Sequence, residues 1–306
     1  MATVAATLAL IFIGGLVTST GSGLSVPDWP LSYGMLMPPM VGGVFYEHGH
    51  RMAATAVGFL TLVLAIWTAR AEPRRSVRRL AWAALAAVIA QGLLGGLTVI
   101  YLLPTPVSVA HACLAQVFFC TLIALATVTS REWIAGDATP SRPAEDDSGL
   151  RAAAVIATGA VFVQLLLGAV MRHTGAGLAI PDFPTSFGRW VPPLDRLPVA
   201  VHFAHRVGAL VVTVLVARLV LAAWRAADRR FRRPAAILLA LVLVQVGLGA
   251  ATVLTGKAVT PTTIHVAVGA AVLGSCWWLA LRSARLLRRP PAADAAAVPF
   301  REPLVS

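Results

Sequence analysis

Charged side chains are what this chain has least of: they make up 12% of 306 residues, about half of what a soluble domain carries. Together with 58% hydrophobic residues and a mean hydropathy of +0.79, that shortage excludes a soluble globular protein and points to an integral membrane one. Acidic residues are scarce too, 13 against 25 basic ones, leaving a formal charge of +12. The basic residues form short clusters between apolar runs rather than one face. This excludes a nucleic-acid surface and matches the loop asymmetry of a membrane protein. The three cysteines, Cys113, Cys120 and Cys276, all lie in apolar runs, so no structural disulfide is expected. No C-x-x-C-H occurs, which excludes covalent c-type haem attachment by that motif. No basic segment precedes the first apolar run, so no cleaved signal peptide is expected.

What is present is length in apolar runs. A spanning helix needs about 20 mainly apolar residues, and eight such runs are found, near 3–20, 47–69, 79–102, 106–128, 151–172, 199–223, 234–255 and 261–283. The connections alternate between rich and poor in arginine. Of the 25 basic residues, 19 fall on one side and six on the other (Arg51, Arg172, Arg189, Arg196, Arg206 and Lys257). The expectation is an all-α, multi-pass protein of the cell membrane with both termini cytoplasmic. The loops 20–46 and 173–198 then lie outside.

The chain repeats itself. TGSGLSVPDWPLSYGMLMPP at 20–39 aligns without gaps to TGAGLAIPDFPTSFGRWVPP at 174–193, with 11 of 20 positions identical. The offset of 154 continues through Gln91 and Gln245, Gly95 and Gly249, and His111 and His265, and becomes 155 for His50 and His205. Four spans separate the copies, so both halves run the same way as a parallel repeat. The expected architecture is two four-helix bundles related by a pseudo-twofold axis along the membrane normal. The halves are read as 1–128 and 150–288, joined by a polar linker at 129–149 and followed by a Pro- and Ala-rich tail, 289–306, expected to be disordered. Small-residue pairs recur in alternate spans (Gly14-Gly15, Gly95-Gly96, Gly168-Ala169, Gly249-Ala250). They fit close helix packing as well as a flat cofactor.

Within that frame stand Glu47-His48-Gly49-His50-Arg51 and His202-Phe203-Ala204-His205-Arg206, each opening an apolar run. A membrane histidine is costly and usually binds something. His50, His111, His205 and His265 lie near the outer ends of four spans, two to each half. Two imidazoles facing across a bundle suit a haem iron. Zinc and copper also take imidazole, but no carboxylate or thiolate recurs with each pair. Arg51 and Arg206 either pair with a carboxylate such as a haem propionate or snorkel to the interface. Symmetry breaks at Glu47, whose counterpart is His202. An acid beside one site only suggests unequal roles, and the alternative is a solvated helix start. His48 and His173 read as boundary residues without a role, and Asp28 and Asp182 as residues that order the outer loops.

These residues resemble the haem A synthase family, the enzymes that convert haem O to haem A. TGSGL-x-x-PDWP, PPM-x-GG-x-x-x-EHGHR, the second TGAGL-x-x-PDFP, the second HR and the two later histidines carry the resemblance. It implies that His205 and His265, with Arg206 beside them, hold a resident haem B. His50 and His111, with Arg51, would line the site for substrate haem O, and Glu47 would be the essential acid. The implied reaction oxidises the C8 methyl group to a formyl group through a hydroxymethyl intermediate. Implied partners are haem O synthase (the protohaem farnesyltransferase) and an electron acceptor, with a homo-oligomer also allowed. Many members carry two cysteines in the first outer loop. Val26 and Ser32 stand there in this chain, and Ile180 and Ser186 in the second loop, so no thiol chemistry can occur in these loops. A dihaem quinone-linked electron carrier would explain the histidine pairs but not Glu47. A transporter would have its site nearer the midplane.

Overall fold

The computed structural model describes residues 1–135, 148–226 and 228–286. Parts of the expected linker, and all of the tail 289–306, lie outside the described residues. Eight long helices dominate: α1 Ala2–Ser19, α2 Gly43–Ala71, α3 Arg75–Ile100, α4 Thr105–Val128, then α6 Ser148–His173, α7 Leu197–Arg225, α8 Arg232–Leu254 and α9 Val259–Leu286, with a short α5 at Arg131–Ala135 between α4 and α6. All eight are long and apolar enough to cross a membrane. At 1.5 Å per residue even the 18 residues of α1 reach about 27 Å, close to the hydrocarbon thickness. No strand occurs among the described residues, only two isolated bridges in the outer loops.

The distribution of side chains is that of a protein dissolved in lipid. Large apolar residues such as Phe59, Trp67, Leu210 and Leu243 point outward, whereas small ones such as Ala65, Ala84, Ala154, Ala157 and Ala235 are buried between helices. Small residues let backbones approach where water gives no driving force. Each helix packs on its neighbours in sequence, α1 on α2, α2 on α3, α3 on α4, with α1 also meeting α4. The run α6 to α9 repeats this scheme, α6 meeting α9. Between the two sets, α1 packs on α9, α4 on α6, and α4 on α9. Exchanging the two sets leaves this scheme of contacts unchanged. Across it, the Trp277 indole N–H donates to the Cys120 carbonyl at 2.9 Å.

The chain leaves α1 and α6 through Gly21 and Gly175, at φ of 68° and 72°, a backbone conformation open to glycine at little cost. The two outer loops then fold alike. Ser32 and Met35 bridge across Tyr33 and Gly34, and Ser186 and Arg189 across Phe187 and Gly188; all four central residues have positive φ, as a type I′ turn requires. Asp28 closes the first turn by accepting the N–H groups of Tyr33 and Gly34 at 2.6 and 2.8 Å. Asp182 does the same for Phe187 and Gly188 at 2.7 and 2.9 Å. Both loops contain a cis X–Pro bond, Trp29–Pro30 and Phe183–Pro184.

Candidate functional site

All four singled-out histidines sit within about two turns of the start of their helices, α2, α4, α7 and α9. Each has a glycine behind it on the helix that precedes it. A Cβ on Gly14 or Gly168 would lie 3.0 Å from Cε1 of His50 or His205, and one on Gly95 or Gly249 would lie 3.2 Å from Cε1 of His111 or His265. All four glycines stand five residues before the end of their helices. The first member of every small-residue pair therefore makes room for an imidazole. The second member packs: Gly15 lies against Thr263 of α9, and Gly96 under the Trp29 indole, where a Cβ would come within 2.6 Å.

His50 and His111 stand on α2 and α4, and His205 and His265 on the matching α7 and α9. The pairs differ in their hydrogen bonding. Nδ1 of His50 and Nδ1 of His111 are buried without a partner. In the other half His265 Nδ1 lies 3.1 Å from the Gln245 carbonyl, to which an Nδ1–H donates, leaving the lone pair on Nε2. The Gln245 side-chain nitrogen lies 3.3 Å from that Nε2. The Gln164 amide nitrogen lies 3.1 Å from His205 Nδ1 and donates to the His205 carbonyl at 2.8 Å. Gln91, the counterpart of Gln245, donates to the His111 carbonyl at 2.9 Å.

Glu47 is not a solvated helix start. It is buried, and its two oxygens accept from the Val26 backbone N–H at 2.8 Å and from the Arg51 guanidinium at 2.7 Å. Its counterpart His202, also buried, accepts through Nδ1 from the N–H of Ile180, the residue matching Val26, at 3.2 Å. The symmetry break thus preserves one structural task, holding the outer loop, while changing what else the side chain can do. Arg51 pairs with a carboxylate, that of Glu47, and both arginines also bind the outer loops. Arg51 donates to the carbonyls of Asp28 and Leu31 at 2.7 and 2.8 Å, and Arg206 to those of Thr185 and Asp182 at 2.8 and 2.7 Å. Both guanidiniums tie a loop to a helix. Two further residues escape a reading of the sequence. His48 is buried within α2, its Nδ1 2.8 Å from Ser32 Oγ, and is not a boundary residue. Gln164 lies in an apolar run whose matching position is Leu10, and that mismatch was the available signal. His173 ends α6, and its carbonyl accepts from the Thr105 hydroxyl at 3.2 Å. Among the described residues no group of three or more acidic, cysteine or histidine side chains could hold a bare metal ion.

Comparison with known proteins decides the family. The model described as cytochrome oxidase assembly protein matches residues 1–43 and 41–277. A haem A synthase of Symbiobacterium thermophilum is 33% identical over 254 residues, covering 82% of this chain and 83% of the relative. One of Halalkalibacterium halodurans is 34% identical over 260 residues, covering 82% and 85%. The chain belongs to the haem A synthase family. A third relative of that name, from Shouchella clausii, is 30% identical over 261 residues. Each of these matches spans more than four-fifths of both chains.

Proposed function

We propose that this protein is a haem A synthase, an oxidoreductase of the membrane that acts on haem O, and that its two halves have unequal parts in the reaction. The observation that carries this reading is one frame built twice, with glycine-backed histidine pairs, and a buried carboxylate in only one copy. The donor set suits haem: two imidazoles per site, each beside a helix stripped of its side chain, and no third ligand to complete another geometry. The unpartnered Nδ1 atoms of His50 and His111 fit a site awaiting a transient substrate. The Nδ1–H that His265 gives to the Gln245 carbonyl fits a ligand kept permanently in place. His205 and His265 would hold haem B, which supplies a one-electron redox centre when bound.

In this reading His50 and His111 bind and orient haem O, and Glu47 takes up a proton or steadies positive charge as the C8 methyl group is oxidised through the hydroxymethyl stage to formyl. The hydrogen bond from Arg51 fixes the Glu47 side chain, so that it need not reorganise during reaction. Arg51 and Arg206 hold the outer loops closed over the two sites and limit entry of water. The arginine distribution supports both termini in the cytoplasm and both sites near the outer face of the plasma membrane. Haem O synthase as supplier and a membrane electron acceptor are the partners that this chemistry requires. The test is pigment extraction with acidified solvent from cells that make haem O and lack any other source of haem A. Expression of this chain should yield haem A; haem O alone would refute the reading.

A further inference from the structure

At the end of the molecule away from the histidines, α2 and α3 form a cavity of about 310 Å³ lined by Ala69, Arg75, Arg78, Arg79 and Trp82. Ala69 follows His50 on the same helix, about 28 Å along its axis, so the cavity lies at the opposite membrane surface from the candidate haem sites. The four α3 residues have the spacing of one helix face, and Ala69 on α2 leaves room before them. Arginines that served only to orient the chain in the membrane would gain nothing by converging on one cavity. None of the ion pairs among the described residues involves these three. Glu72, the nearest acid in sequence, is held by Arg74, whose backbone N–H, Nε and Nη2 donate to it at 3.0, 2.7 and 2.8 Å. Glu132 and Asp228 pair with Arg282 and Arg230. Between residues 69 and 82 stand five arginines and a single glutamate, so the cavity carries an excess of positive charge. Trp82 is 48% exposed and Trp67, near the end of α2, 68%, as indoles are where headgroups meet acyl chains.

We propose that this cavity binds an anionic phospholipid, with its phosphate diester on Arg75, Arg78 and Arg79 and its acyl chains running past Trp82. Guanidinium N–H groups match phosphate oxygens in pairs, and the backbone N–H groups at the start of α3 add positive potential at the same place. A basic pocket between membrane helices is a setting in which such headgroups are held. A lipid suits the site better than a free phosphate, because an exposed indole completes the wall that the arginines begin. At the repeat offset the three arginines recur as Arg229, Arg232 and Arg233, but Ala236 stands in place of Trp82, so the second copy has the charge without the aromatic wall. Bound in the cavity, the lipid fastens α3 to α2, the helix that carries Glu47 and His50 at its other end.

The experiment titrates the full chain, purified in a neutral detergent, with phosphatidylglycerol, phosphatidylcholine or inorganic phosphate, and counts bound molecules by native mass spectrometry. The variants are Arg75→Gln/Arg78→Gln/Arg79→Gln, Arg78→Gln alone, and Arg225→Gln/Arg229→Gln/Arg233→Gln, which removes the same charge from exposed positions at the same end of the second half. An arginine near an anionic headgroup contributes about fivefold in affinity, so three should give phosphatidylglycerol a preference of about 100-fold over phosphatidylcholine. The first triple variant should lose that preference, Arg78→Gln should lose about fivefold of it, and the second triple variant should keep it. The single variant keeps the test valid should the triple variant fail to accumulate. Equal binding of the two lipids by the unaltered chain would overturn the proposal. So would equal losses in both triple variants, which would assign the binding to diffuse surface charge. Displacement of phosphatidylglycerol by an equal concentration of inorganic phosphate would give the cavity to a free anion, and would overturn it as well.

Discussion

Glu47 is where catalysis and architecture can be separated, because His202 performs the architectural task without a carboxylate. Glu47→Gln keeps the shape. One amide atom can still accept from the Val26 N–H or from Arg51, but not both, since the other atom is now a donor. The Glu47–Arg51 pair is largely buried, with side-chain exposures of 5% and 16%, so a lost hydrogen bond to a charged group costs about 1.5–3 kcal/mol of stability. That loosens the first outer loop without unfolding eight helices. Removal of a positioned acid-base group costs a factor of about 10² to 10⁴ in rate. Glu47→His goes further, since it copies residue 202 and restores an acceptor for the Val26 N–H. The prediction is that both variants retain b-type haem and lose haem A formation by at least two orders of magnitude, Glu47→Gln with accumulation of haem O or the hydroxymethyl intermediate. The assay is pigment analysis of haem O-supplying cells, beside thermal unfolding of the purified proteins. Wild-type amounts of haem A from Glu47→His would show that position 47 only holds the loop, and would refute the reasoning.

Three further outcomes are expected. Gly168→Ala adds a Cβ 3.0 Å from Cε1 of His205, so haem content should fall although alanine favours a helix by about 1 kcal/mol; a full haem complement in this variant would contradict the role given to the glycine. The Gly188 N–H, with the Thr185 hydroxyl and Phe187 N–H, holds the Asp182 carboxyl well below its ordinary value. The folded-state pKa is depressed, so the contribution of Asp182 to loop order is constant above the ordinary carboxylate pKa of about 3.9 and is lost as pH falls below it. Proteolytic nicking of loop 174–196 should therefore be flat from neutral pH to about pH 5, and faster at neutral pH in Asp182→Asn. A periplasmic reporter fused after Gly34 or Gly188 should be active and one fused at Glu72 silent; the reverse would invert the orientation.

The frame was legible because membrane helices announce themselves. Each needs a long apolar run whatever its neighbours do, and all eight runs found in the sequence appear as helices with ends shifted by a few residues. The histidine pairs were legible through the repeat, since His111 and His265 recur at the same offset as the glycines behind them. Finer relations were not. That Gly95 faces His111, or that Gly96 underlies Trp29, depends on which face of one helix meets the next, and apolar all-round helices carry no periodicity that reveals it. The loop contacts of the arginines were not legible for a related reason: Arg51 reaches carbonyls 20 and 23 residues back along the chain, a loop closure invisible without coordinates. Nothing local in the sequence marks His48 as buried against Ser32.

The account turns on a division of labour between two similar sites, and one comparison tests it most directly. Purified His50→Ala/His111→Ala and His205→Ala/His265→Ala proteins, expressed without haem O, are compared for total haem and for the low-spin b-type spectrum. The account predicts that the first keeps its haem B and the second loses nearly all of it. A second variant with its spectrum intact, or equal losses in both, would contradict it.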